Sequence, residues 1–295
     1  MCYTEIFENI DKLIEVNEFV RAKNIGFILS TSFGPSGFTF LDYGNEHIVT
    51  DADGEDTKPF IVVNATQTNP VIVTVHEDKR HKFQDGDYVG FREIQGMTEL
   101  NSLKPTLIQT IDGFSFKVQV DGTGFGAFTG TGLVENVKVP KTVKYHSLRE
   151  SLKNPVASSA YGMLETPDLR YWGRSEQLHL AYLGIFEFQR ANGRLPGESD
   201  FDTIFATVKR INESHKDGDA LYLEEIDEKV IRNASIFSKA CLSPLAAFFG
   251  GVVAQEIVKF TGKYSPLKQW LHYDIFETLP RTEVNRTPLN SRYDD

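Results

Sequence analysis

Apolar positions change their period twice along the chain, and those changes mark out its parts. Ile6, Ile10, Leu13 and Ile14 recur at helical spacing with acids on the other face, which predicts an amphipathic helix ending near Asn24. Ile25–Ser30 follows as a short apolar run of buried-strand type. The far end repeats this order. Ser243 reads as a helix cap and Pro244 as the first helical residue, where no N–H is needed. Leu245 to Ala254 carry no charge, and a helix apolar all round is expected to be buried all round. That run is well short of the ~20 residues needed to cross a bilayer. Gly250 and Gly251 each cost a helix roughly 1 kcal/mol against alanine, so close approach of a neighbouring backbone is expected there. Gly262 ends the helix, and Trp270–Phe276 has the character of a strand. Helix then strand at both ends predicts one α/β unit made from the two outer pieces, with the rest inserted.

Between about Asp42 and Pro140 the period is two. His47–Thr50, Phe60–Val63, Val71–Val75, Tyr88–Phe91, Thr106–Ile111, Phe114–Val120 and Leu133–Val139 alternate with turn clusters, the pattern of an all-β barrel or sandwich. From Tyr145 to Ser238 the period is helical. His146–Lys153, Gln177–Ala191 (capped at Ser175, stopped at Gly193), Phe201–Asn212 and Ile226–Phe237 predict a bundle. Arg281 to Asp295 is polar and reads as a linker.

Charge narrows the partners. With 31 basic against 41 acidic residues the net charge is −10, which argues against nucleic acid or an anionic membrane. Cys2 and Cys241 cannot build a disulfide framework and fit a reducing compartment. Acids at Glu5, Glu8, Asp11, Glu15 and Glu18 exclude a secretory or mitochondrial signal, leaving cytoplasm and nucleus as the expected location.

Candidate chemistry is sparse. Cys241 continues the apolar face of Ala234 and Phe237 and reads as a buried structural thiol. The glycine-rich run Gly122–Gly132 is followed by a strand and lacks the Gly-Lys-Ser/Thr of a phosphate loop, so it reads as a β-connection. His76 and His81, with Glu77 and Asp78 between, match no zinc spacing and read as a solvated loop that could recognise a partner. Glu224, Glu225, Asp227 and Glu228 suit the positive end of a helix. His179 and His272 sit in apolar periodicity and read as satisfied core residues. No catalytic set, metal site or cofactor site emerges. A cysteine enzyme using Cys241 is the alternative that this leaves open.

A resemblance adds to this. Ala247-Phe-Phe-Gly-Gly251, Ala254-Gln-Glu256, Gly262-Lys263, Pro266-Leu-Lys-Gln269 and Tyr273-Asp274 resemble eukaryotic ubiquitin-activating enzyme, most closely the fungal form. Asn17-Glu-Phe19, Leu41-Asp42 with Gly44, Arg80-His81 with Asp85-Gly86, and Gln95-Gly-Met97 with Glu99-Leu-Asn101 continue the likeness in order. Val137-Lys-Val-Pro-Lys141, Gln177-Leu-His179 and Asn290-Ser-Arg-Tyr-Asp294 complete it.

The resemblance implies a multidomain α and β fold. A partial α/β (Rossmann-like) adenylation domain (residues 1–41 and 239–280) would be interrupted by an all-β barrel-like domain, the first catalytic cysteine half-domain (42–140), and by an α-helical four-helix bundle (141–238). Residues 281–295 would lead to the active adenylation half. The whole enzyme of that family adenylates the ubiquitin C-terminus with ATP and Mg²⁺, forms a ubiquitin thioester and serves ubiquitin-conjugating enzymes. The chain reads as an inactive fragment of it, with no nucleotide loop and no catalytic cysteine of its own. Arg80, Gln84 and Asp85 are the implied ubiquitin contacts, with Gln84 where relatives often carry an acid. Phe248, Phe249, Gly250 and Gly251 are the implied packing surface toward the other half. A free-standing ubiquitin-pathway adaptor without catalysis is the alternative.

Overall fold

The structure is a computed structural model, and it describes residues 10–155, 164, 169–216 and 221–279. Ile6, the linker 281–295 and the segment Asn290–Asp294 lie outside the described residues. The chain opens with α1 (Ile10–Arg21), β1 (Phe27–Phe33), β2 (Ser36–Asp42) and β3 (His47–Val49). Then come β4 (Phe60–Ala65), β5 (Val71–Val75), β6 (Tyr88–Arg92), β7 (Thr106–Thr110), β8 (Ser115–Val118), β9 (Gly132–Asn136) and β10 (Lys141–Val143). Helices follow: α2 (Leu148–Lys153), α3 (Arg174–Asn192), α4 (Phe201–Ser214), α5 (Glu228–Ile236) and α6 (Ser243–Lys259), then β11 (Trp270–Asp274). Two compact units result: residues up to 47 with 143–260 and those from 266 on, and residues 48–142 with 261–265.

The first unit is layered on a three-stranded sheet of order β1-β2-β11. Both pairings are antiparallel, so these strands provide helix-on-sheet layering without the parallel pairing of a Rossmann unit. All seven residues of β2 are buried. Phe38 and Phe40 meet Trp270 at ring-centroid distances of 5.3 and 4.7 Å, and Phe38 lies 5.3 Å from Tyr182 of α3. The opposite face takes α6, and a Cβ on Gly37 would stand 2.5 Å from the ring of Phe249, so only glycine admits that contact.

The helix-rich segment gives four helices, with α3 at its centre against α4, α5 and the sheet. Leu178, Leu180, Ala181, Tyr182, Ile185 and Phe186 are buried on several sides of α3, and the bundle and sheet share one core. α2 begins with a capping box, Ser147 Oγ accepting from Glu150 N and Glu150 Oε2 from Ser147 N. Asp227 caps α5 by accepting from Lys229 N at 2.9 Å and Val230 N at 3.2 Å. Two expected caps fall elsewhere. α3 starts after Gly173, and Ser175 is buried inside its first turn. Ser243 is itself the first residue of α6, so Pro244 takes the second position, still one whose N–H has no helical partner.

A buried polar node joins the first helix to the sheet. The Asp42 carboxylate, 1% exposed, accepts from Asn17 Nδ2 at 2.8 Å and from Arg21. Asn17 Oδ1 accepts from Leu148 N at 2.8 Å, so one amide side chain fixes α1, the end of β2 and the start of α2. Truncating either partner would strand the other in the core, which costs more than the bond itself contributes.

The second unit is a closed barrel of order β4-β5-β8-β7-β6-β9. Val71, Val73 and Val75 point inward with Val62, Val89, Ile108, Phe116, Val118 and Val134. A register shift between Val62 and Asn64 turns Asn64 outward and Ala65 inward, a bulge that strict alternation would miss. Lys138 ties the connection before β4 by reaching Asp51 and, at 2.8 Å, Asp53.

β1 and β2 join through Gly34 and Pro35, a turn with positive φ (59°) at its first central residue. A Cβ at Gly34 would lie 2.3 Å from the Phe237 carbonyl oxygen. Gly34→Ala is therefore expected to lower stability by at least about 2 kcal/mol, combining the left-handed penalty with the overlap. Urea unfolding reads this directly, and a change under half that size would contradict the close approach.

Candidate functional site

The segment from Arg80 to Gln84 is irregular, with Lys82 in the left-handed region (φ 59°). His81 and Phe83 are buried, while Arg80, Lys82 and Gln84 are exposed. His81 corrects the expectation of a solvated histidine loop. Its Nδ1 accepts from Phe83 N at 3.0 Å, so its Nε2–H donates to the Asp112 carbonyl at 2.8 Å. The imidazole stacks on Phe83 with centroids 5.0 Å apart and meets Phe116 edge-on at 5.4 Å. Arg80 and Gln84 are both exposed, with Lys82 between them in sequence, a cation that sequence reasoning passed over.

Asp85 faces another way. Its Oδ1 accepts from Thr110 N at 2.7 Å and from Thr110 Oγ1 at 2.5 Å, and these bonds hold its carboxyl below the usual range. Gln84 N donates to Asp87 Oδ2 at 2.9 Å, closing the turn at Gly86. The Arg80 guanidinium lies 5.9 Å from the centroid of Phe114 and its stem covers Gly113. The structure leaves Arg80 and Gln84 exposed and ties Asp85 to Thr110 of β7.

The second candidate surface is α6. Burial on every side does not occur: only Leu245, Phe249 and Glu256 are buried, because one layer, the sheet, lies against the helix. Phe249 faces that sheet. Phe248 is 38% exposed and stacks on Tyr273 at 4.3 Å. Gly250 and Gly251 face open space, so no described residue makes the close backbone approach expected there. Ile257, Val258 and Phe260 continue the exposed apolar side.

Other candidates resolve structurally. Cys241 is exposed and free rather than buried, since α5 ends at Ile236 and its apolar face does not extend that far. Gly122–Gly132 links β8 to β9, and Gly126 N donates to Glu99 Oε1 at 2.9 Å. Among the described residues no group of three or more His, Cys, Asp or Glu could hold a metal ion. Nor is any described helix long and apolar enough to cross a membrane.

His179 and His272 are both buried and bonded to each other, Nδ1 to Nε2, at 3.1 Å. His179 Nε2–H donates to the Leu152 carbonyl at 3.0 Å, which makes His179 Nδ1 the acceptor and His272 Nε2–H the donor. His272 Nδ1 is left without a partner, so the pair is only partly satisfied.

Residues 68–138 match the ubiquitin-activating enzyme E1 FCCH domain, and residues 139–212 match the ubiquitin-activating enzyme E1 four-helix bundle. Similar proteins include ubiquitin-activating enzyme E1 1 of Triticum aestivum, 36% identical over 99% of this chain and 28% of its own length. Ubiquitin-activating enzyme E1 1 of Arabidopsis thaliana is 35% identical over 97% of the chain and 26% of its own. Ubiquitin-like modifier-activating enzyme 1 of Oryctolagus cuniculus is 33% identical over 97% and 27%. The chain thus carries two family domains of ubiquitin-activating enzyme E1, the FCCH domain and the four-helix bundle, and it spans about a quarter of the length of the curated relatives it matches.

Burial holds His179 down to about 4 and His272 well below 6.5, so the unfolded chain takes up protons first as pH falls. Stability is expected to be undiminished above pH 6.5 and to decline between 6.5 and 4, by about 3 kcal/mol for His179 alone. Denaturant unfolding across that range checks the sign, and His179→Gln should flatten the slope.

Proposed function

We propose that this chain is the ubiquitin-facing and scaffolding part of a ubiquitin-activating enzyme. In the whole protein, ubiquitin's C-terminus would be adenylated with ATP and Mg²⁺, captured as a cysteine thioester and passed to conjugating enzymes. These residues would perform none of those steps. The observation that supports the reading is the set Arg80, Lys82 and Gln84, all exposed on a barrel connection that buried His81 and Phe83 anchor. An anchored set of polar side chains suits recognition of a folded, charged partner, because little side-chain order remains to be imposed on binding. The outer side of α6, with Phe248, Gly250 and Gly251, would pack on the remaining adenylation half.

Affinity through the barrel row alone should be low. Exposed charge pairs contribute only ~0–1 kcal/mol each, so a few of them reach roughly millimolar binding. Titration of isotopically labelled ubiquitin with the chain should show small, fast-exchange shifts or none, and micromolar binding would overturn the estimate. In the full-length enzyme Arg80→Glu should raise KM for ubiquitin about 2- to 10-fold while leaving kcat nearly unchanged. ATP–pyrophosphate exchange measures both. An unchanged KM would remove Arg80 from the contact.

A further inference from the structure

A cavity of about 420 Å³ opens in the first unit where α1, α2, α3 and α4 converge. Its floor is apolar: Ile10, Ile14, Leu152, Leu183, Phe186 and Ile211. That volume and lining are those of small-molecule sites, which run roughly 300–1,000 Å³ with few polar groups converging on an apolar floor. One of those groups is His215. It is 9% exposed, and its Nδ1 is buried without a hydrogen-bond partner. Buried polar atoms in native proteins are nearly always paired, so an orphan lining a cavity points to a ligand or water that completes it.

The rim decides the ligand's charge. Arg190 grips Asp11 through two bonds of 2.8 and 2.6 Å, and Arg210 pairs with Glu187, so both carboxylates on the cavity are neutralised. Arg149 is likewise held by Glu18. Lys153 lines the same cavity and forms no ion pair among the described residues. The balance is one surplus positive charge beside an orphan imidazole nitrogen, over a floor that wants hydrocarbon. We propose that this cavity binds a small amphipathic monocarboxylate, its tail on the helix floor and its carboxylate between Lys153 Nζ and His215 Nδ1–H. The site is separate from the barrel row and from the outer side of α6.

Isothermal titration of the whole chain with octanoate tests this, with 1-octanol as the neutral ligand of equal length. Octanoate should bind saturably at one site, and octanol about tenfold more weakly, the factor expected of one charge-assisted contact. Lys153→Gln, an exposed and fold-neutral change, should bring octanoate down to the level of octanol and leave octanol unaffected. Ile211→Trp should remove both by filling the floor. The proposal is overturned if octanoate does not saturate, if octanol binds equally well, or if Lys153→Gln leaves octanoate binding intact.

Discussion

The packing of Phe38 and Phe40 against Trp270 is the contact on which the first unit depends. It joins β2 to a strand about 230 residues later, as Trp270 pairs with Phe40. Closing so long a loop costs only about 5 kcal/mol, because the penalty grows with the logarithm of length. Fully burying a few large apolar side chains, at roughly 1.5–3 kcal/mol each, offsets that. A barrel and a bundle can therefore sit between the paired strands without weakening the sheet in proportion to their size. Polar bonds sharpen the same junction. Trp270 Nε1 donates to Ser151 Oγ at 2.6 Å, and Gln269 Nε2 reaches the carbonyls of Leu41 and His146 at 3.2 and 2.6 Å. These bonds fix the register that the aromatic contacts alone would leave free to slip.

Much of this was legible in the chain, and the losses have identifiable causes. Six of the barrel strands followed from alternation, since a closed barrel has one wet and one dry face and therefore a clean period of two. β2 was missed. Ser36, Gly37 and Thr39 break the apolar run, and the strand is buried on both faces, so no alternation signals it. α3 and α6 differ in how composition relates to burial. α6 reads as more apolar than its surroundings require, because a helix's composition reports every surface it is built to meet, including any beyond this chain. α3 carries Gln177, His179, Glu187 and Gln189 yet is the central helix of the bundle, its polar groups tied to loops and neighbours. Hydrophobicity read as burial was wrong for α6.

The candidate site was legible in one respect and hidden in another. Arg80 and Gln84 were named from the resemblance, and both are exposed, as a contact residue must be. That the segment turns at Lys82 and buries its alternate neighbours could not be read from His76–Gln84, where charged residues predominate. The deciding group is His81, which looks like a surface residue in sequence and instead anchors the segment through both ring nitrogens. Asp85 has the same ambiguity. A carboxylate beside a glycine in a turn suits either a partner or its own backbone, and only the distance to Thr110 separates the two.

The two outward surfaces differ in what they can contribute to binding. Charged and amide side chains over water give up hydration for each contact, so the barrel row favours orientation and encounter over affinity. The outer side of α6 has the reverse character: apolar, with glycines that let another backbone come close, and able to hold an interface by burial alone. A chain that separates these properties can keep one surface permanently covered while the other meets and releases a partner. Release matters wherever a partner is handed onward, because a display that bound tightly would slow the transfer it serves. Under the proposed function, weak charge contacts on the barrel and apolar contacts on a helix would meet that requirement.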